Sequence, residues 1–182
     1  LAKSQVDGLH LQQGISWLNE RITKDPDNYG LYMARGAFHY RLGHVSDSIA
    51  DIKKAISLRE NFVDYYKLAV IYLQGHQEAL ALEALNNSLR LNDRFLQVYI
   101  DRGLIRISEQ KLDEAIMDFN KVLEIYPNSI QALINRAGVY MTLKRYEEAL
   151  QDLSKAQAIE PDNPKIIQNK AYCMRLLEGK KK

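Results

Sequence analysis

Apolar and small residues recur along this chain at intervals of three and four. Tyr65, Leu68, Ala69 and Tyr72 form one such run, and Ile116, Phe119 and Leu123 form another. That spacing gathers each set on one face of a helix, so the pattern predicts a succession of amphipathic helices. The runs also repeat as a block: Ala81, Ala115 and Ala149 lie 34 residues apart, as do Tyr72, Arg106 and Tyr140. A fixed period of this size signals stacked supersecondary units. Each unit buries its apolar face only against its neighbours, so stability is expected to come from the stack.

The segments 96–129 and 130–163 align without a gap, pairing Ile100 with Ile134, Arg102 with Arg136, Asp118 with Asp152 and Pro127 with Pro161. Segment 62–95 keeps the same length. Segment 29–61 fits if it is one residue short, and the deletion is placed in the turn near Glu60 and Asn61 because loops tolerate length change. Three columns hold mostly small residues: Gly36, Ala69, Gly103 and Ala137; Ser48, Ala81, Ala115 and Ala149; and Ala55, Ser88, Val122 and Ala156. Small side chains there let paired helices approach closely. The prolines, Pro26, Pro127, Pro161 and Pro164, fall at unit boundaries, where a residue that lacks an amide donor is a natural stop.

This pattern resembles the tetratricopeptide repeat family over nearly the whole chain. The resemblance implies an all-α fold, a right-handed α-solenoid of antiparallel helix pairs. Residues 1–28 match the second helix and stop of a partial repeat, 29–61, 62–95, 96–129 and 130–163 match full repeats, and 164–182 match a closing helix with a basic tail. Ala171 falls in the first small column of that closing helix. Three residues depart from the family pattern: Glu60 and Asp93 stand where proline is usual, and Arg106 replaces an aromatic.

In such solenoids the first helices line a concave groove, so the resemblance implies that residues one position past the core column face a protein or peptide partner. Those are Met33, Ala37 and Tyr40; Tyr66, Val70 and Leu73; Ile100, Leu104 and Ile107; and Ile134, Gly138 and Met141. They form a second apolar stripe, and a helix apolar on two faces must bury both or expose an interaction patch. Tyr66, Val70, Ile100, Leu104, Ile134 and Met141 are the principal expected contacts. Lys67, Asp101, Asn135 and Asn169 lie between them and are suited to orient a bound peptide through hydrogen bonds. A subgroup of the family grips chaperone C-termini with a clamp of Lys, Asn and Arg. Here only Asn135 and Lys165 match, and Ile100 and Leu104 replace the first pair, so no carboxylate clamp is expected. Two further readings stay open: a self-assembly module, and the recognition arm of a larger enzyme.

Composition adds exclusions rather than chemistry. The chain has 182 residues, 46% hydrophobic, with a formal charge of +2, and its basic residues are dispersed apart from Lys180 to Lys182. Nucleic-acid binding usually needs a concentrated basic stripe. No glycine-rich phosphate loop, Cys pair or nucleophile elbow is present, so the reading is not an enzyme, with no cofactor and no metal. His10, His39, His44 and His76 fall on helix faces or in turns of different units, with His44 and His76 in turns between paired helices. Asp113/Glu114 and Glu147/Glu148 open second helices, where they meet the positive end of the helix dipole. Cys173, the single cysteine, reads as a small buried residue. No apolar run is long enough to cross a bilayer. The chain starts at Leu1, which leaves a removed signal or lipid anchor open, and the compartment is unassigned with a lean to the cytoplasm.

Overall fold

The computed structural model describes residues 3–180, so Leu1, Ala2, Lys181 and Lys182 lie outside the described residues. Ten helices run through the described residues, and no strand occurs among them. They are α1 (Lys3–Lys24), α2 (Tyr29–Arg41), α3 (Val45–Leu58), α4 (Phe62–Gln74), α5 (Glu78–Leu91), α6 (Leu96–Ser108), α7 (Leu112–Ile125), α8 (Ile130–Thr142), α9 (Tyr146–Ile159) and α10 (Pro164–Lys180). The chain forms two compact units, Leu1–Asp93 and Arg94–Lys182. In the first, α2 pairs with α3 and α4 with α5, while α1 packs on α2 and α3 on α4. In the second, α6 pairs with α7 and α8 with α9, while α7 packs on α8 and α9 on α10.

The pairs are antiparallel. The Ser88 hydroxyl near the end of α5 donates to the Phe62 carbonyl at the start of α4, at 2.8 Å. In the second unit Tyr140 and Met141 near the end of α8 pack on a core with Tyr146 and Ala149 at the start of α9, and Cys173 of α10 completes it.

Local chemistry sets the helix starts. Asn28, Asn61, Ser129 and Asn163 cap α2, α4, α8 and α10 by accepting backbone amides into their side chains. Each satisfies a donor that the first helical turn leaves orphaned. The second helices have no side-chain cap and instead carry Asp47, Glu78, Asp113 with Glu114, or Glu147 with Glu148 in the first turn. The turn inside each pair passes through one left-handed residue: Gly43, His76, Gln110 or Lys144. The connection from α3 to α4 is residues 59–61, one shorter than 92–95 and 126–129, so the missing residue lies where the repeat alignment expects it.

All three small-residue columns of the four pairs are buried. At Gly103 an added Cβ would lie 2.9 Å from the Phe119 ring, and at Gly36 it would lie 3.2 Å from Asp51 Cβ. Ala171, expected in the first of these columns, is exposed. A second helix would cover that face, and among the described residues none lies against it.

Three pairs are also cross-linked by ions. Arg35 reaches Asp51, Arg102 reaches Asp118 and Arg136 reaches Asp152, each with a 2.6 Å contact to a buried carboxylate. The hydrogen bonds that Arg35 and Arg136 donate to Asp51 and Asp152 push their guanidinium pKa further up. In the α4/α5 pair the corresponding positions are Leu68 and Ala84, both buried. Arg106, in place of the usual aromatic, joins Asp118 at 2.7 Å and Glu114 at 3.2 Å.

Candidate functional site

The first unit contains an apolar pocket of about 460 Å³ between α2 and α4. Met33, Ala34, Gly36, Ala37 and Tyr40 of α2 form one wall, and Tyr66, Lys67, Val70 and Ile71 of α4 form the other. Ser48 and Ile52 of α3 also line it. It exists because Gly36 lets α3 come close behind α2, while the side chains one position on stand clear of that contact. The volume lies in the range of sites that bury a drug-sized ligand or a large side chain.

Polar groups are few. The Tyr40 hydroxyl donates to Gln74 Oε1. Lys67 Nζ lies 3.1 Å from Asp64 Oδ1, so its charge is partly spent on a carboxylate that is itself buried. Asp64 also accepts from the Tyr29 hydroxyl, which links α2 to α4. Burial, and then that carboxylate, push the Tyr29 phenol pKa up, and the Arg59 guanidinium lies 3.8 Å over its ring. Ser48 Oγ is buried and has no hydrogen-bond partner. An unsatisfied buried hydroxyl is costly, so Ser48 is a natural contact for a group that enters the pocket.

Of the expected contact residues, Met33, Ala37, Tyr40, Tyr66, Lys67 and Val70 come together here. Leu73 is half-buried on α4, outside the pocket lining. In the second unit the stripe divides. Ile100 and Ile134 are only 5% and 9% exposed, so they correct the expectation that they face a partner. Ile134 packs with Leu133, Ala156 and Ile166 of α10, and that contact between successive first helices consumes the position. Leu104 is 43% exposed, and nothing lies within 4 Å of where a Cβ on Gly138 would point. Ile107 and Met141 are half-buried edges of core clusters. Asp101 accepts from Gln97 Nε2 at 2.9 Å, and Asn135 and Asn169 are half-buried.

The sequence reading missed the contribution of α3. Its signal was Ser48, the one hydroxyl in a column otherwise held by alanine. No helix among the described residues is long and apolar enough to cross a membrane.

A family profile described as tetratricopeptide repeat matches residues 106–171. Mitochondrial import receptor subunit TOM70 of Homo sapiens is 29% identical over 115 residues, which are 58% of this chain and 19% of that protein. DnaJ homolog subfamily C member 3 of Homo sapiens is 30% identical over 86 residues, 47% of this chain and 17% of that protein. The chain thus spans less than a fifth of the length of either relative. Among solved structures, YrrB, described as a TPR protein with an unusual peptide-binding site, matches with a TM-score of 0.75 at 24% identity, over 89% of this chain and 84% of that one. That likeness shows the fold, an all-α solenoid of helix pairs.

Proposed function

Because the chain is a tetratricopeptide repeat protein, we propose that it is a protein–protein interaction scaffold that holds an apolar or amphipathic segment of a partner on its first helices. One apolar side chain of that segment seats in the α2–α4 pocket. The observation that supports this reading is the pocket itself, whose lining from two successive first helices includes Met33, Ala37, Tyr40, Tyr66, Lys67 and Val70. Filling it with a large apolar side chain would contribute about 1.5–3 kcal/mol, which makes it an anchor rather than a whole interface. The segment does not depend on a terminal carboxylate, since Leu104 is apolar and Ile100 is buried where a clamp would carry its first polar pair.

The test is selection of binding peptides from a random library, followed by fluorescence polarisation on the native chain and on Ala37→Trp. Ala37 is exposed at the pocket wall, so the indole blocks the pocket without entering the core. Apolar peptides that bind the native chain should bind the variant at least tenfold more weakly at equal helicity. Equal affinity for both chains refutes the pocket. Tight binding of a peptide with an acidic C-terminal motif refutes the absence of a clamp.

A further inference from the structure

Away from the pocket, the turn from α2 to α3 gathers three metal-ligating side chains. His39 lies in the last turn of α2, His44 precedes α3, and Asp47 lies in the first turn of α3. Gly43, at φ 78°, lets the chain reverse between the two histidines. The reversal sets His39 Nδ1 3.5 Å from His44 Nδ1 and 3.8 Å from Asp47 Oδ2. One ligand atom from each of the three falls within 4.8 Å of the others.

These distances suit a shared ion. Two nitrogens each about 2.0–2.1 Å from a tetrahedral zinc lie about 3.4 Å apart, close to the observed separation of the two Nδ1 atoms. Asp47 has a 65% exposed side chain, so its carboxylate is free to rotate inward. On the far edge of the His39 ring, Nε2 faces Asp51 Oδ2 at 4.0 Å. Asp51 is fixed in turn by Arg35 at 2.6 Å. A carboxylate behind the second ring nitrogen is the usual partner of a metal-bound histidine, because it holds the proton there and leaves the other nitrogen bare.

The other turns make the contrast. At the positions equivalent to His39 and Asp47, Arg106 faces Glu114 at 3.2 Å, and at those equivalent to His44 and Asp47, Arg145 pairs with Glu148. A side-chain cation therefore neutralises the first-turn acid in those two repeats. In the first repeat two imidazoles stand there instead.

We propose that His39, His44 and Asp47 form a binding site for a zinc-class divalent cation, with its remaining positions open to solvent. Two imidazoles and one carboxylate match Zn²⁺, Co²⁺ and Ni²⁺ better than Mg²⁺ or Ca²⁺, which prefer all-oxygen shells. The bound ion supplies the positive charge that Arg106 and Arg145 supply elsewhere, and it staples the turn.

The test is calorimetric titration of the chain, free of added histidines, with Zn²⁺, together with Co²⁺ absorption and thermal unfolding with and without Zn²⁺. One equivalent of Zn²⁺ should bind saturably, Co²⁺ should give visible ligand-field bands, and Zn²⁺ should raise the unfolding midpoint by mass action. His44→Ala and Asp47→Asn change exposed residues, so circular dichroism should be unaltered while affinity falls at least about tenfold. His76→Ala, in the next turn, should leave binding unchanged. Absence of saturable binding overturns the proposal, as does binding that survives His44→Ala or that falls equally with His76→Ala.

Discussion

One substitution, Gly→Ala, is expected to act with opposite sign at two helical positions of the second unit. Gly138 lies inside α8, and a Cβ there meets nothing within 4 Å. Ala is favoured over Gly in a helix interior by about 0.8–1.0 kcal/mol, so Gly138→Ala should stabilise by nearly that amount. Gly103 lies inside α6, where the new Cβ would stand 2.9 Å from two Phe119 ring atoms. Phe119 is wholly buried among Ala115, Ile116 and Val139, so the ring has no free volume to enter. Overpacking of this kind costs about 1–3 kcal/mol, which offsets or exceeds the propensity gain. The two variants should therefore differ by about 2 kcal/mol. For a chain of this size that separates their thermal midpoints by roughly 4–8 °C, with Gly138→Ala above the parent and Gly103→Ala at or below it. Circular dichroism melts measure this, and urea unfolding with an unchanged m-value would show that the effect is on stability. Equal stabilisation by both would refute the close approach of α6 to α7.

The ion pairs should divide by burial. Arg136→Ala leaves Asp152 buried and unpaired and should cost about 3 kcal/mol in urea unfolding, whereas Glu60→Gln, which breaks the exposed pair with Arg90, should shift the urea midpoint far less; comparable losses would sink that distinction. The Tyr65 hydroxyl, and then Arg90, hold the Glu60 carboxyl below the usual Glu range. Its small stabilisation is therefore present above the unfolded Glu pKa and is lost as pH falls through the folded value. An NMR titration should find the Glu60 midpoint low and Tyr65→Phe should raise it; a midpoint unmoved by that change argues against the hydrogen bond. Burial, and then Glu147, push the Cys173 thiol up. Iodoacetamide should modify it slowly at neutral pH and fast in urea, and equal rates would contradict its burial.

Most of the helical order was legible because it is periodic. Ala81, Ala115 and Ala149 mark close crossings that recur with the repeat, and the short turn at Glu60 and Asn61 could be placed by counting. What escaped depends on contacts that have no fixed spacing. Ile100 and Leu104 are one helical turn apart on the same apolar stripe, yet Ile100 is buried and Leu104 is not. Sequence periodicity names the face of a helix but not how far along it the next repeat's helix packs. The pocket needed α3 behind α2, a contact between residues twelve or more apart in sequence. His39 and His44 look unrelated in sequence, because they stand five positions apart, more than one helical turn; only the reversal at Gly43 turns their nitrogens toward each other. Arg106 was visible as a departure, but its exchange of ring packing for a second contact to Asp118 was not.

The replacement of an Arg–Asp cross-link by Leu68 and Ala84 in the α4/α5 pair bears on how the molecule responds to heat and cold. The penalty for desolvating ions falls as temperature rises, whereas apolar burial loses strength on cooling. The pairs held by Arg35, Arg102 and Arg136 and the pair held by Leu68 are therefore tuned in opposite directions. Near freezing, α4 and α5 become the relatively looser hairpin; toward the melting range, the cross-linked hairpins gain ground from their ion pairs. The order in which amide protons exchange along the chain is thus expected to depend on the thermometer as well as on position.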